Sequence, residues 1–253
     1  MSELCCIALR KSYDALIVTD DLDLELHRGE VHALIGPNGA GKTTALAQLS
    51  GQLAPDSGRI MMGDRDVTSL SMPGRVHAGV ARSYQISSIF ASFGVGESVE
   101  LALQAMVGHS FRFLRPASRA PGIRTGALAL LDRVGLLDVA GAPASTLSHG
   151  QTRQLEIAMA LASDPQVLLL DEPMAGMGPQ EAESLAVLVA ELGRERAVLL
   201  VEHDMDIVFS VADRISVLAE GSCIASGSPA DIRADPEVQR LYLGDDDEDA
   251  GRC

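Results

Sequence analysis

The feature that most constrains this sequence is a glycine-rich loop between an apolar stretch and a helix-forming stretch. Val31–Ile35 is predicted to be a buried strand, and residues 45–49 are predicted to continue as a helix. The loop has the spacing GxxxxGK[ST], in which backbone N–H groups and a helix N-terminus surround a phosphate group. Its residues are Gly36, Pro37, Asn38, Gly39, Ala40, Gly41, Lys42, Thr43 and Thr44. A loop that only turned the chain would not require lysine and threonine at these positions.

Two side chains of this loop, which we call the P-loop, are predicted to contact a nucleotide directly. Lys42 supplies a positive charge for the β- and γ-phosphates, and the Thr43 hydroxyl is a ligand for Mg²⁺. The sequence therefore predicts an α/β fold with a P-loop NTPase (RecA-like) core.

Two further subdomains are predicted around this core. Short strands and tight turns in the first third of the chain, for example at residues 59–62, predict a small antiparallel β subdomain. Apolar residues recur at helix spacing between about residues 90 and 164, which predicts a helical subdomain. Continuous apolar runs at residues 167–170 and 198–201 predict buried parallel strands, joined by a helix that begins at Pro179.

Length and hydropathy favour one large domain that does not cross a membrane. The 253 residues, 47% of them hydrophobic, are enough to bury a sizeable core. The apolar runs are shorter than the roughly 18 residues of a membrane-spanning helix, and the N-terminal residues lack the pattern of a secretory signal. We expect a cytoplasmic protein with a single domain over residues 1–244.

The charge of the chain argues against nucleic acid as a partner. A formal net charge of −15 repels a phosphate backbone, and no cluster of Lys and Arg offsets it. Part of this charge lies in residues 245–253, which are expected to form an acidic disordered tail. The cysteines lack paired spacing and are expected to be reduced thiols.

A pair of acidic residues follows the apolar run at residues 167–170. Asp171 and Glu172 stand at the carboxyl end of this predicted strand, where α/β sheets bind ligands. Asp171 is expected to hold Mg²⁺ through water, and Glu172 to orient or deprotonate the water that attacks a γ-phosphate. Such a pair alone could be an acidic turn, but a P-loop in the same chain favours the catalytic interpretation.

The residues from Leu147 to Gln151, the signature segment, open an amphipathic helix and resemble the LSGGQ signature of ABC ATPases. A serine cap and a glycine at a helix N-terminus form an anion site, and this one has no evident ligand within its own chain. The resemblance implies that two subunits face each other head to tail and that each closes the partner's ATP. The segment's contacts to that ATP would come from Ser148, His149, Gly150 and Gln151. His149 departs from the family, which usually has glycine there.

The resemblance covers nearly the whole chain and implies ATP and Mg²⁺ as cofactors. Tyr13 matches the aromatic residue that stacks on adenine, Gln85 the glutamine that reaches Mg²⁺ and water, and His203 the histidine that senses the γ-phosphate. An ordinary strand tyrosine and a structural histidine are the alternatives for Tyr13 and His203. Gly178 departs from the Asp or Asn that the family commonly has in the D-loop, residues 174–179, so coupling between two ATP sites is expected to rest on backbone contacts.

Within this family the chain is most similar to LivG-type ATPases. These energise bacterial importers of branched-chain amino acids, and relatives import urea or short amides. The resemblance rests on the segments around Gly36, Glu172 and His203 and on the ending Leu241-Tyr242-Leu243-Gly244. It implies a second ATPase subunit in a homo- or heterodimer, membrane permeases, and indirectly a periplasmic binding protein. The protein would then lie on the inner face of the cell membrane.

Other functions and one partner surface stay open at this point. A lipopolysaccharide-type exporter ATPase is similar in size, and a soluble ABC ATPase acting on DNA or ribosomes would show a basic face or long coiled coils. A P-loop kinase would have no use for Ser148 or His203. Residues beyond Gln85, including Phe90 and Phe93, are predicted either to receive a permease helix or to pack in the core.

Overall fold

The computed structural model describes residues 2–83, 93–106 and 122–243. Its strands are β1 (Leu4–Tyr13), β2 (Leu16–Leu26), β3 (Val31–Ile35), β4 (Ser57–Met62), β5 (Arg65–Asp66), β6 (Val80–Arg82), β7 (Val167–Asp171), β8 (Ala197–Val201), β9 (Arg214–Ala219) and β10 (Ser222–Gly227). Its α-helices are α1 (Lys42–Leu49), α2 (Met72–His77), α3 (Val95–Met106), α4 (Ile123–Arg133), α5 (His149–Leu161), α6 (Pro179–Glu195), α7 (Met205–Val211), α8 (Pro229–Ala234) and α9 (Pro236–Leu243). In this part of the chain, no helix combines the length and the apolar character that a membrane span requires.

A six-stranded sheet forms the centre of the fold, with the strand order β10-β9-β3-β8-β7-β6. Strands β9, β3, β8, β7 and β6 run parallel, and β10 pairs with β9 in the antiparallel direction. Every residue of β3 and β8 is buried, as expected for strands that are covered on both faces. The predicted α/β core with a parallel sheet is confirmed.

A second sheet is antiparallel and has the order β2-β1-β4-β5. Its fully buried residues Leu9, Leu22 and Ile60 share one apolar core with Leu46 of α1 and Leu169 of β7. Burial of this apolar surface holds α1, and the P-loop that precedes it, against both sheets. The predicted antiparallel sheet is also confirmed.

Helices α3, α4 and α5 lie between β6 and β7 in the chain. Val99, Leu131 and Leu155, one from each helix, form an apolar core that also includes Leu185 of α6. This packing fixes the start of α5, which carries the signature segment. The division into a helical subdomain over about residues 90–164 stays a prediction, and residues 245–253 lie outside the described part of the chain.

A buried histidine connects three strands around the start of the P-loop. His32 of β3 is 1% exposed, and its Nδ1 lies 3.0 Å from the carbonyl oxygen of Glu25. Its Nε2 lies 2.8 Å from the Ser216 hydroxyl oxygen. The pKa of His32 is lowered to about 4, chiefly because burial disfavours the charged ring; the hydrogen bond to Glu25 opposes this change, and the positive charges of Arg214 and His27 add to it.

We expect this histidine to make the fold sensitive to acid. Between about pH 6.5 and pH 4 the unfolded chain takes up a proton that folded His32 resists, so stability falls as the pH falls. The loss in the free energy of unfolding that is due to His32 approaches about 3 kcal/mol at pH 4. Urea unfolding at pH 7 and pH 4 measures the loss, and His32→Gln, which has no titrating group, should lose less. Equal losses in both proteins would contradict this role of His32.

Candidate active site

The carboxyl ends of neighbouring parallel strands gather the predicted catalytic residues at one edge of the six-stranded sheet. The P-loop follows β3, His203 lies two residues beyond β8, Asp171 ends β7, and Glu172 comes next. Leu34 of β3 and Asp171 of β7 both pair with Val201 of β8, so these strands end at the same level. Ligands of open α/β sheets bind at this edge.

The backbone shape of the P-loop depends on glycines at two points. Gly41 has a φ of 101°, and a β-carbon there would lie 2.3 Å from the carbonyl oxygen of Val18. At Gly36 a β-carbon would lie 2.2 Å from the carbonyl oxygen of Leu218. The remaining P-loop residues are exposed Asn38, Gly39 and Thr43, partly exposed Pro37 and Thr44, and buried Ala40 and Lys42. The loop packs tightly at these two glycines and ends at the N-terminus of α1, which is suited to bind an anion.

Lys42 lies inside this loop rather than extending into solvent. Its Nζ donates hydrogen bonds to the carbonyl oxygens of Gly36 at 2.7 Å and Pro37 at 3.0 Å. An ammonium group has three N–H donors, so one remains for a ligand after these two bonds within the described residues. Burial lowers the pKa of Lys42, while the negative charges of Glu172 and Asp171 oppose this change.

Glu172 has an unusual backbone conformation for a residue with a side chain. Its φ is 44°, in the left-handed region, and its N–H donates to the carbonyl oxygen of Val201 at 2.9 Å. Strained backbone of this kind is concentrated at functional sites. The Glu172 side chain is half exposed, and its Oε1 lies 3.9 Å from Nδ1 of His203. The structure thus brings these two predicted residues together.

Asp171 has a partner that was not predicted from the sequence. Arg82, at the end of β6, donates from Nη2 to Oδ2 of Asp171 at 2.7 Å and from Nη1 to Oε1 of Gln52 at 3.0 Å. The only signal in the sequence is that Arg82 stands three residues before Gln85, in the segment that the family resemblance assigns to the site. Gln85 itself, like the predicted permease contact Phe90, lies outside the described residues.

The side-chain oxygens of Thr43 and Asp171 fit the chemistry of Mg²⁺. Thr43 presents an exposed hydroxyl and Asp171 a partly exposed carboxylate, and Mg²⁺ prefers such hard oxygen ligands. Mg²⁺ in nucleotide sites usually takes only one or two protein ligands and completes its shell with water and phosphate oxygens. The described residues contain no group of three or more His, Cys, Asp and Glu that could hold a metal alone.

Tyr13 lies at the turn between β1 and β2, and 50% of its surface is exposed. The ammonium group of Lys11 lies 5.6 Å from the centre of its ring. The same two-stranded unit contacts the P-loop, because the Val18 carbonyl of β2 packs against Gly41. An exposed aromatic ring is therefore present on the element next to the loop, as stacking on adenine requires.

The signature segment begins α5 with a capping box. The Ser148 hydroxyl oxygen accepts from the Gln151 N–H at 3.2 Å, and the Ser148 N–H donates to Oε1 of Gln151 at 3.0 Å. The Ser148 hydroxyl also donates to Oε1 of Glu181, on α6, at 3.0 Å. The expectation that this helix N-terminus has no ligand in its own chain is therefore wrong, because the sequence gives no sign that α6 begins beside α5.

The two positions that depart from the family pattern lie on adjacent segments. Nε2 of His149 is 3.0 Å from the carbonyl oxygen of Ala175 in the D-loop. A β-carbon at Gly176 would be in ordinary contact with the same ring, 3.7 Å from Nε2. At Gly178 an added β-carbon would meet nothing within 4 Å. The missing Asp or Asn at position 178 is thus not a result of steric exclusion within the described residues.

Comparison with known proteins identifies the family to which this chain belongs. The family model described as "ABC transporter" matches residues 19–175, which is more than half of the sequence. The chain belongs to the ABC transporter family. Members of this ATP-binding family hydrolyse ATP, so the prediction of an ATPase is confirmed. A second model, "Branched-chain amino acid ATP-binding cassette transporter", matches residues 222–248 of this ABC ATPase.

Similar curated proteins include the high-affinity branched-chain amino acid transport ATP-binding protein LivG of Escherichia coli K12. It is 38% identical over 244 residues, covering 94% of this ABC ATPase and 96% of LivG. BraF of Pseudomonas aeruginosa, with the same description, is 35% identical over 247 residues, covering 94% and 96% of the two chains. The lipopolysaccharide export ATP-binding protein LptB of Acidithiobacillus ferridurans is 34% identical over 247 residues, covering 97% and 98%. The resemblance to LivG-type ATPases is confirmed.

Solved structures of ABC ATPases have the same fold as this one. The ADP conformation of MJ1267, an ATP-binding cassette of an ABC transporter, superposes with a TM-score of 0.86 at 27% identity. The match covers 96% of this chain and 99% of that one. A nucleotide-free ATP-binding cassette superposes with a TM-score of 0.85 at 26% identity over the same shares.

Proposed function

We propose that this chain is the ATP-hydrolysing subunit of an importer for branched-chain amino acids. The observation that carries the proposal is the match of residues 222–248 to the branched-chain amino acid transporter model, together with 38% identity to LivG. The protein would act at the inner face of the cell membrane, bound to permease subunits that receive cargo from a periplasmic binding protein. Urea or short amides are the alternative cargo, as in relatives of this branch.

The site supports a specific division of roles in ATP hydrolysis. The P-loop backbone and Lys42 bind the phosphates, and Tyr13 stacks on adenine. Glu172 orients or deprotonates the attacking water, and His203, 3.9 Å away, contacts the γ-phosphate side of the site. Thr43, Asp171 and Gln85 would hold Mg²⁺, which when bound offsets negative charge on the phosphate oxygens.

Coupling to transport follows from a site that two subunits share. In this proposal Ser148 and Gly150 of one subunit bind the γ-phosphate held by the other subunit's Lys42. ATP then joins the two subunits, and loss of the γ-phosphate removes the ligand that both share. The dimer reopens, and the difference in affinity between its two states moves the permeases.

Deletion of the gene should reduce uptake of leucine, isoleucine and valine at low concentrations to background. A plasmid with the wild-type chain should restore uptake, and Lys42→Ala should not, because it lacks the ammonium group that binds phosphate. Radiolabelled uptake measures both, and Arg124→Ala on α4, which also removes one positive charge, is the matched control. If the deletion abolishes uptake of urea and not of the amino acids, urea is the cargo. If uptake of both is unchanged and lipopolysaccharide export is impaired, the chain belongs to an exporter.

A further inference from the structure

A carboxylate of the chain occupies the anion-binding end of the signature helix. Glu181 lies in the first turn of α6, and its Oε1 accepts the hydrogen bond from the Ser148 hydroxyl at 3.0 Å. Its carboxyl carbon lies 3.1 Å from the place that a β-carbon on Gly150 would take. The carboxylate thus covers Ser148, the N-cap of α5, and Gly150 in its first turn, the two residues that the proposed function assigns to the partner's γ-phosphate.

The geometry places this negative charge near two helix N-termini at once. α5 has 13 residues and α6 has 17, and a carboxylate is favoured at the first turn of either helix. An open cavity of about 360 Å³ adjoins the carboxylate and is lined by polar side chains that include Gln154 and Ser184. The cavity therefore has room for a phosphate-sized group, but the Ser148 hydroxyl beside it already donates its hydrogen bond to Glu181.

The hydrogen-bonding capacity of Ser148 makes the two anions exclude each other. A hydroxyl group has one proton to donate, and Ser148 donates it to Glu181. One of its lone pairs accepts from the Gln151 N–H, so the oxygen is held in place by the capping box. A γ-phosphate can bind this hydroxyl only after the bond to Glu181 breaks, and the two negative charges would repel each other at this distance.

We propose that Glu181 competes internally with the partner's γ-phosphate for the signature segment. In the free chain its carboxylate holds Ser148, and it must withdraw before two ATP-bound subunits can close. The inference rests on the proposed function, because it requires the signature segment to bind ATP held by another subunit. Its consequence is that Glu181 raises the concentration of protein and ATP at which the dimer forms, without changing ATP binding by one subunit.

Withdrawal of Glu181 would also affect the position of Glu172, the proposed catalytic residue of the same chain. The D-loop, residues 174–179, connects Glu172 to the first turn of α6, where Glu181 lies. His149 contacts the same loop through the carbonyl oxygen of Ala175 at 3.0 Å. Movement of the signature segment could therefore displace Glu172 in two ways: through the D-loop backbone, and through the hydrogen bond between His149 and Ala175.

The decisive experiment measures dimer affinity in the Glu172→Gln background, in which ATP is expected to persist. Adding Glu181→Gln keeps the size of the side chain but removes the competing charge, so the ATP-dependent dimer should tighten about tenfold. Glu191→Gln, an exposed position further along α6, is the matched control and should leave the dimer unchanged. Sedimentation velocity over a range of protein and ATP concentrations gives these affinities, and calorimetry should show equal ATP binding by the monomers.

The direction of the change separates this role from a structural one. A variant that only damaged α6 would weaken the dimer, whereas loss of a competitor strengthens it. An unchanged or weaker dimer with Glu181→Gln, while the Glu172→Gln parent dimerises, overturns the inference alone. A parent that stays monomeric with ATP overturns the shared-site proposal, and the inference fails with it.

A second measurement tests the contact without nucleotide. Melting temperatures of Ser148→Ala, Glu181→Ala and the double variant form a thermodynamic cycle for the two side chains. The two single changes should be non-additive, because each breaks the same hydrogen bond. Additive changes in melting temperature would show that Glu181 does not hold Ser148 in the free chain, and would overturn the inference even where the dimer tightens.

Discussion

Glu172→Gln should lower the rate of ATP hydrolysis about 10³-fold while leaving ATP affinity nearly unchanged, since general bases contribute factors of this size. The amide keeps the size of the side chain but cannot take a proton from water. Lys42 and the P-loop backbone, which hold the phosphates in our proposal, are not altered. Phosphate release measures turnover, and calorimetry measures binding. The ATP-bound dimer should also persist, and size-exclusion chromatography with ATP should detect it.

Glu172→Gln alters the chemistry of the side chain without altering the backbone, and Glu191→Gln serves as its control. The left-handed backbone, with a φ of 44°, is costly for glutamate and glutamine alike, so the substitution changes the chemistry and not the backbone preference. Glu191→Gln makes the same chemical change on α6, outside the site, and should hydrolyse ATP at the wild-type rate. Turnover at the wild-type rate in Glu172→Gln would remove this residue from the catalytic role.

Local chemistry explains why the core of the site could be predicted from the sequence. The P-loop, its flanking strand and helix, and the acidic pair after β7 depend on neighbouring residues and on strand ends that meet at one edge. Gly41 illustrates this, because its left-handed backbone requires glycine, although its contact with the Val18 carbonyl appears only in the fold. The antiparallel sheet and the parallel strands were predictable from hydrophobic patterns for the same reason.

Contacts between distant side chains were beyond prediction from one sequence. Arg82 and Asp171 are 89 positions apart, Ser148 and Glu181 are 33 apart, and His149 contacts the carbonyl of a residue 26 positions away. None of these pairs leaves a periodic signal, because each depends on how separate elements pack. Glu181 in particular would be expected from its sequence context to be a solvated acid in the first turn of a helix.

Ser148→Arg should reduce hydrolysis about 10²- to 10³-fold, as the loss of a donor that stabilises developing charge does in other enzymes. The larger side chain fills the exposed start of α5 and blocks closure onto the partner's ATP. ATP binding by the isolated subunit should stay nearly unchanged, because the P-loop belongs to β3 and α1. Ser228→Arg is the matched control, since Ser228 is another exposed helix N-cap with a capping box, at the start of α8.

Mixing two inactive chains tests directly whether each ATP site is shared. Lys42→Ala and Ser148→Arg subunits form heterodimers in which one composite site carries both defects and the other carries neither. Part of the hydrolysis should therefore return if the intact site can act alone. Strict coupling between the sites would mask this recovery, so the dependence of the wild-type rate on protein concentration is the more direct measurement. The specific rate should rise with concentration at low micromolar levels, and a rate that stays flat on dilution of a monomeric protein with ATP would defeat the shared-site proposal.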